Sequence, residues 1–153
     1  MSTAARRHSG TPDRFVHRVD GHWPAMADMA RAEMFGRALQ QMERSGDAEE
    51  LVAQFGEGAE LRRPELEHSQ GQTSDPEQFW RTYRDQFSEI TTEFSHIAEA
   101  DDLAVLEWTS RATLAAGRSI EYAGVSLLSF GNDDRVSRFA TYYDTAAFVA
   151  PRS

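Results

Sequence analysis

The carboxylate of Asp144 stands out in the C-terminal stretch RVSRFATYYDTAAF, residues 135–148. Alternation along an extended segment puts Val136, Ala140, Tyr142 and Asp144 on one face and Phe139, Thr141 and Tyr143 on the other. An acid that shares a side with apolar and aromatic residues has its pKa raised towards the working range of a general base. Its chemistry would be that of a general base. Glu107 lies on an alternate-residue face with Leu103, Val105 and Thr109, and two carboxylates with separated pKa values divide acid and base work. The competing reading of Glu107 is an ion pair with Arg138 or Arg111. His96, in TEFSHIAEA, adds a group that titrates near neutrality, against the plainer reading of an exposed histidine satisfied by a neighbour. Asp144, Glu107 and His96 are the candidate catalytic residues.

Candidate binding residues are aromatic. Trp80, Tyr83, Trp108, Tyr122 and Tyr142, with Phe35 on the first helix, suit a pocket for a planar, partly aromatic ligand, their phenol and indole groups orienting it. The same residues at helical spacing also read as plain core. Arg62 and Arg63 on the first strand are placed to hold an anionic group or to lie on a solvated edge.

Composition removes other chemistries. The chain has no cysteine, which excludes disulfides, thiolate metal sites and cysteine nucleophiles, and all sixteen basic residues are arginine, which excludes Schiff-base lysines. Of the five histidines, His8, His17 and His22 fall in the first 23 residues and His68 in a polar loop; none pairs at metal-ligand spacing, so neither metal nor cofactor is expected. A net charge of −9 argues against nucleic acid and against an anionic membrane surface. No apolar run approaches the roughly 20 residues of a membrane span. The Arg6–Arg7 pair lacks the apolar core of a signal peptide, and the expected location is cytoplasmic.

The elements that must position these residues follow from periodicity and turn chemistry. Residues 1–23 read as a flexible arm and residues 24–150 as one domain. A helix is expected from Pro24, with its apolar stripe at Phe35, Ala38, Leu39 and Met42 and its stop at Gly46. A second, short helix starts at Asp47 with Glu50 completing a capping box, and carries Leu51, Val52 and Phe55. AELRRP reads as a strand ended by Pro64, and ELEHSQGQTS as a loop. Asp75 caps a third helix with Pro76 in its first turn, bearing Phe79, Trp80, Tyr83 and Phe87. Four strands follow, at 89–99, 103–113, 119–130 and 135–147, joined by ADD, AAG and GNDD. Helices first and an antiparallel meander afterwards give an α+β class with a cavity under a curved sheet.

With GDAEELVAQFGEGAELRRP, QFWRTYRDQF, VLEW and RVSRFATYYDTAAF in this order, residues 26–148 resemble the SnoaL-like branch of the nuclear transport factor 2 (NTF2)-like superfamily. The resemblance implies an NTF2-like cone: three N-terminal and intervening helices on a curved, mixed, mostly antiparallel sheet with a central pocket. Relatives in that superfamily include polyketide cyclases, ketosteroid isomerases, limonene-epoxide hydrolases and non-catalytic binding domains. The isomerases carry a base before a proline at the end of the first strand, where this chain has Arg63, and a second acid where it has Ser126, which argues against steroid isomerase chemistry. The epoxide hydrolases match through GRS at 117–119 and Asp144, but this chain has Thr109 and Glu107 where they have an acid and its arginine. The cyclases use a late aspartate as base, which maps to Asp144.

The resemblance therefore implies a cofactor-independent cyclase or isomerase acting through Asp144. The alternatives are a non-catalytic ligand-binding or dimerisation module and a hydrolase with an altered catalytic set. A homodimer is expected through an exposed sheet face carrying Leu106, Trp108, Val125, Leu127 and Phe139.

Overall fold

The computed structural model describes residues 14–16, 30–64 and 71–149. The four histidines at 8, 17, 22 and 68, the expected helix start at Pro24 and most of the expected arm lie outside the described residues. Within the arm, Arg14–Val16 forms a short strand, β1, so that part is not the free arm expected.

Among the described residues three α-helices and seven strands follow one chain order: β1, α1 (Arg31–Ser45), α2 (Glu49–Val52), β2 (Phe55–Arg62), β3 (Gln72–Thr73), α3 (Pro76–Asp85), β4 (Phe87–Glu99), β5 (Leu103–Leu114), β6 (Ser119–Phe130) and β7 (Val136–Tyr143). One sheet runs β1-β4-β5-β6-β7-β2-β3. Every pairing is antiparallel except β2 with β7, so the sheet is mixed. Among the described residues no helix is long and apolar enough to cross a membrane.

The expected stops and caps form where small or polar residues allow them. Gly46 ends α1 at φ 77°, a conformation a side chain would strain. Asp75 accepts from Gln78 N–H at 3.1 Å at the start of α3, with Pro76 in the first turn. The capping box expected of Asp47 and Glu50 does not form: α2 starts from Ala48 without a side-chain cap, and Asp47 accepts Glu49 N–H at 2.9 Å from one residue further out. Phe55 and Phe87, expected on helices, instead open β2 and β4.

Ala30 is extended, so α1 begins at Arg31 rather than continuing from Pro24. Its N-terminus is held from afar: Glu99 accepts Ala32 N–H at 2.7 Å, and Arg31 reaches Asp134 at 2.9 Å and lies 3.8 Å over the Phe130 ring.

Period-two alternation decides what each strand buries. Along β5, Ala104, Leu106, Trp108, Ser110 and Ala112 turn inward, while Leu103, Glu107 and Arg111 turn out. On β4 a bulge interrupts the alternation: Phe94 pairs with Trp108 and His96 with Glu107, leaving Ser95 as the extra residue. Thr92 and Phe94 are therefore inward, and so is Ile97 beyond the bulge.

The helices pack into the hollow of this sheet. Gly36 of α1 sits so close to Phe94 that a Cβ there would lie 3.1 Å from the ring. Phe139 of β7 is where the helices meet, stacked on Phe35 at 5.5 Å and 5.1 Å from Trp80. A second aromatic group joins Trp108, Tyr122, Tyr143 and Phe148, with Tyr122 and Phe148 centroids 4.8 Å apart. Leu106, Trp108 and Phe139 are thus interior, which corrects their expected place on an exposed dimer face.

The Trp108 ring fits because β6 carries a glycine opposite it. A Cβ at Gly124 would lie 2.4 Å from the Tyr142 carbonyl and 2.6 Å from the Trp108 ring. Gly124→Ala is expected to destabilise the fold by about 1–3 kcal/mol, read as a lower denaturant midpoint at unchanged slope.

Candidate functional site

Sheet and helices leave a small cavity of about 40 Å³ between α1, α3 and strands β4 to β7. That is room for a few water molecules, so a larger ligand must displace side chains. Leu39, Phe79, Trp80 and Phe139 supply the apolar wall. Tyr83, Tyr122, Tyr143 and Trp108 bring aromatic rings with polar tips, and Thr92, Ser110, Ser126 and Thr141 bring hydroxyls. These hydroxyls occupy inward positions of their strands, where an apolar residue would otherwise stand.

Behind one side of the cavity lies Glu43, only 4 % exposed, in the last turn of α1. Its Oε2 accepts from Tyr83 Oη at 2.8 Å and Thr92 Oγ1 at 2.6 Å, and its Oε1 from Thr92 N–H at 2.9 Å. Thr92 Oγ1 is in turn 2.7 Å from Ser110 Oγ. Burial pushes the Glu43 carboxyl up, and the bonds from Thr92 and Tyr83, with Arg44 nearby, offset this only in part. The Tyr83 hydroxyl is held well above the ordinary phenol range, chiefly by burial and then by the adjacent Glu43 charge. Burial also raises Tyr122 and Tyr143, so these phenols keep their protons.

Arg63, at the end of β2, carries the cavity's positive charge. It is 8 % exposed, lines the cavity and lies 5.3 Å over the Phe79 ring. Among the described residues its Nε and Nη1 have no hydrogen-bond partner, nor has the buried Trp80 Nε1 on the same wall. Buried N–H groups are almost always paired, so these donors point to a missing acceptor. Burial lowers the Arg63 pKa, without removing a charge that guanidinium retains at neutral pH. A third side is fully paired: Trp108 Nε1 donates to Ser126 Oγ at 2.9 Å, and Ser126 Oγ lies 2.9 Å from Thr141 Oγ1.

The structure brings Trp80, Tyr83 and Tyr122 to the cavity as expected of binding residues, with Trp108 beside them. It places the other candidates elsewhere. Asp144 is exposed, and its Oδ1 accepts Ala146 N–H at 2.9 Å, capping the short turn Thr145–Phe148. The inward residues of β7 are Phe139, Thr141 and Tyr143, so Tyr142, 48 % exposed, and Asp144 follow the outer side. Glu107 and His96 pair on the outer sheet face at 2.9 Å, where Ser95 also donates to Glu107 at 2.8 Å. Those two hydrogen bonds hold the Glu107 carboxyl below its ordinary range.

The Ser95 bulge explains His96: unbroken alternation from Thr92 and Phe94 would have turned it inward. Arg62 is exposed while its neighbour Arg63 is buried, and Phe35 belongs to the core rather than the cavity wall. Among the described residues no three His, Asp or Glu side chains converge as metal ligands do.

Glu43 was missed as a site member, whereas of the Arg62–Arg63 pair expected to hold an anionic group or to lie on a solvated edge Arg63 is the one turned inward, and both Glu43 and Arg63 carried a signal. Glu43 continues the helical line Phe35, Leu39 at spacing of four, and Arg63 continues the inward series Ala59, Leu61 at spacing of two. A charged residue in register with a buried face is the informative exception.

The sequence profile described as a SnoaL-like domain matches residues 35–139. No curated protein matches the chain in sequence. Solved structures share the fold. AclR, a putative hydroxylase from Streptomyces galilaeus, is 15% identical, with 78% of this chain and 93% of that one covered and a TM-score of 0.61. A putative isomerase from Rhodopseudomonas palustris is 16% identical over 76% and 91%, with a TM-score of 0.64. TerC, co-crystallised with polyporic acid, is 17% identical over 78% and 95%, with a TM-score of 0.66.

The raised Glu43 carboxyl has a consequence for stability. The folded protein holds a proton where the unfolded chain, near pH 4.5, has begun to release it. The stabilisation is complete below that pH and is lost as pH rises through the raised folded value. Denaturant midpoints from pH 4 to 8 are expected to fall for wild type relative to Glu43→Gln, whereas parallel profiles would mean a solvated, ordinary carboxyl.

Proposed function

The chain belongs to the SnoaL-like domain family, and from that premise we propose that its cone takes a compact apolar or aromatic carbonyl compound. The ligand is held through an oxygen that carries or develops negative charge, and the protein acts on it as a cofactor-independent cyclase or isomerase. The observation that carries this reading is the buried Arg63 guanidinium, with Nε and Nη1 unpartnered at the wall of an apolar, hydroxyl-edged cavity. Removing a proton beside a carbonyl moves charge onto oxygen; Tyr83 Oη takes the proton as its own hydrogen passes to Glu43, and a fixed cation in a water-poor site stabilises the new charge far more than water does. Tyr122 and Tyr143, which keep their protons, orient the same oxygen and the ring beside it. Such proton transfers need no cofactor. The putative isomerase and the polyporic acid complex among the fold neighbours are in keeping with small-molecule chemistry in this architecture.

Asp144 is not retained as the base, because a capping carboxylate in solvent lacks both the burial and the reach. An epoxide-hydrolase mechanism gains no support, since no carboxylate is among the lining residues. A second reading, a non-catalytic binding module, is favoured by the cavity's small size. Half-buried Val125 and Leu127 with exposed Tyr142 on the outer sheet face support pairing with a second copy. The cysteine-free composition suits a cytoplasmic location.

Calorimetry with benzoate as a compact anionic probe tests the anchor. Arg63→Met is expected to weaken binding at least about tenfold, whereas Asp144→Asn, whose amide oxygen still caps the turn, leaves it unchanged. Equal affinity for wild type and Arg63→Met removes the anchor. Deuterium uptake at the methyl group of acetophenone, followed by NMR, separates the readings: exchange faster than in buffer supports the enzyme, and binding without exchange supports the module.

A further inference from the structure

Resting on the reading of the cone as a carbonyl-ligand site, we infer that the charge state of Glu43 sets whether the Tyr83–Thr92–Ser110 side of the cavity presents hydrogen-bond acceptors or donors. The protein thereby distinguishes the enol from the keto form of its ligand.

The geometry fixes the direction of each bond. With Glu43 ionised, its oxygens can only accept, so the Tyr83 hydroxyl, the Thr92 hydroxyl and the Thr92 amide all spend their hydrogens on it. Thr92 Oγ1 then accepts from Ser110 Oγ, 2.7 Å away. Tyr83, Ser110 and Tyr122 line the cavity, Tyr122 bonds to the other two and gives its one hydrogen to them, and the lone pairs that remain on the three oxygens turn towards the cavity. Such a wall accepts from an enol O–H and leaves a ketone oxygen without a donor on that side. With a proton on Oε2, Glu43 donates to Tyr83 or Thr92, and at least one hydroxyl hydrogen is released towards the cavity. That wall donates to a ketone oxygen.

The groups facing Glu43 are few. Tyr83 comes from α3, Thr92 from β4, Tyr122 from β6 and Arg44 from its own helix, with Arg63 and Tyr143 elsewhere on the cavity wall. The phenols stay protonated and the arginines charged, which leaves Glu43 as the group that titrates between them.

The same bonds form a balanced proton path. An enol O–H breaks as a bond to Tyr83 Oη forms, and the original Tyr83 O–H breaks as Glu43 Oε2 takes that proton. The ligand is left as an enolate, whose charge Arg63 is placed to compensate, and the reverse transfer returns the proton. Glu43 acts through Tyr83 and is a positioning and proton-holding residue rather than one that touches the ligand.

The test uses two probes that stay neutral between pH 5 and 8: cyclohexanone, which only accepts, and phenol, which donates as an enol does. In wild type, cyclohexanone affinity is expected to fall and phenol affinity to rise with pH, their ratio changing about tenfold for one exchanged hydrogen bond. Glu43→Gln is expected to bind both with a ratio independent of pH. Tyr83→Phe keeps Glu43 but cuts its main link to the cavity, and is expected to reduce the change in ratio. The Thr92 amide resonance, bonded to Oε1, reports in wild type the pH at which Glu43 titrates. The ratio must change at that pH.

If both probes bind but the ratio is pH-independent in wild type, or changes equally in Glu43→Gln, the inference is overturned while the ligand site stands. If Glu43→Gln does not fold, an unaltered change of ratio in Tyr83→Phe overturns it. If neither probe binds wild type, the ligand-site reading falls and the inference with it.

Discussion

A carboxylate that cannot reach water dictates the arrangement around it. Glu43 is tolerable inside the fold only because α3 and β4 both deliver donors to it, through Tyr83 and through the backbone and side chain of Thr92. This pins the C-terminal end of α1 over β4 at one height, while Glu99 and Arg31 pin its other end. Gly36 lets the helix lie close enough to Phe94 for both ends to engage. A carboxylate in the last turn also lies at the unfavourable end of the helix dipole. Three hydrogen bonds converge on it, one from the Thr92 backbone amide and two from the hydroxyls of Tyr83 and Thr92, which line a cavity.

The cavity's other charge is separate and differently treated. Arg63 is bedded on Phe79, yet two of its nitrogens find no acceptor among the described residues. Leaving such donors unmet costs stability, and folds accept that cost at sites where a ligand completes the pairing. Between the two charges the wall is aromatic, with phenols whose raised pKa values keep them neutral. Asp144 contributes from outside. By capping the turn Thr145–Phe148 it lays Phe148 against Tyr122 and Tyr143, so the residue that most resembled a catalytic base supports the wall's packing.

Much of the frame was legible in the residues themselves. Gly46, Asp75–Pro76 and the three polar turns marked where helices and hairpins begin and end, and the strand limits lie within a few residues of expectation. The site was legible only in part. Trp80, Tyr83 and Tyr122 do line the cavity, and large aromatic residues there are core-like and site-like at once. His96 was misplaced by one extra residue at Ser95, and a bulge leaves no sign in an alternation pattern. In β7 both faces carry apolar residues near the middle, Phe139 on one and Ala140 on the other, both buried. Alternation alone could not say which face turned inward, and the conspicuous acid drew the choice to the wrong one.

The central claim is that the cone is a ligand site organised by a buried, waiting cation. The direct measurement is the set of arginine Nε–H resonances in a ¹⁵N NMR titration of wild type with 2-hydroxy-1,4-naphthoquinone, a compact enol acid. The Arg63 signal, assigned by Arg63→Met, is expected to move saturably while those of exposed arginines such as Arg81 and Arg111 stay in place. An unmoved Arg63 signal, or equal movement at all the arginines, would contradict it.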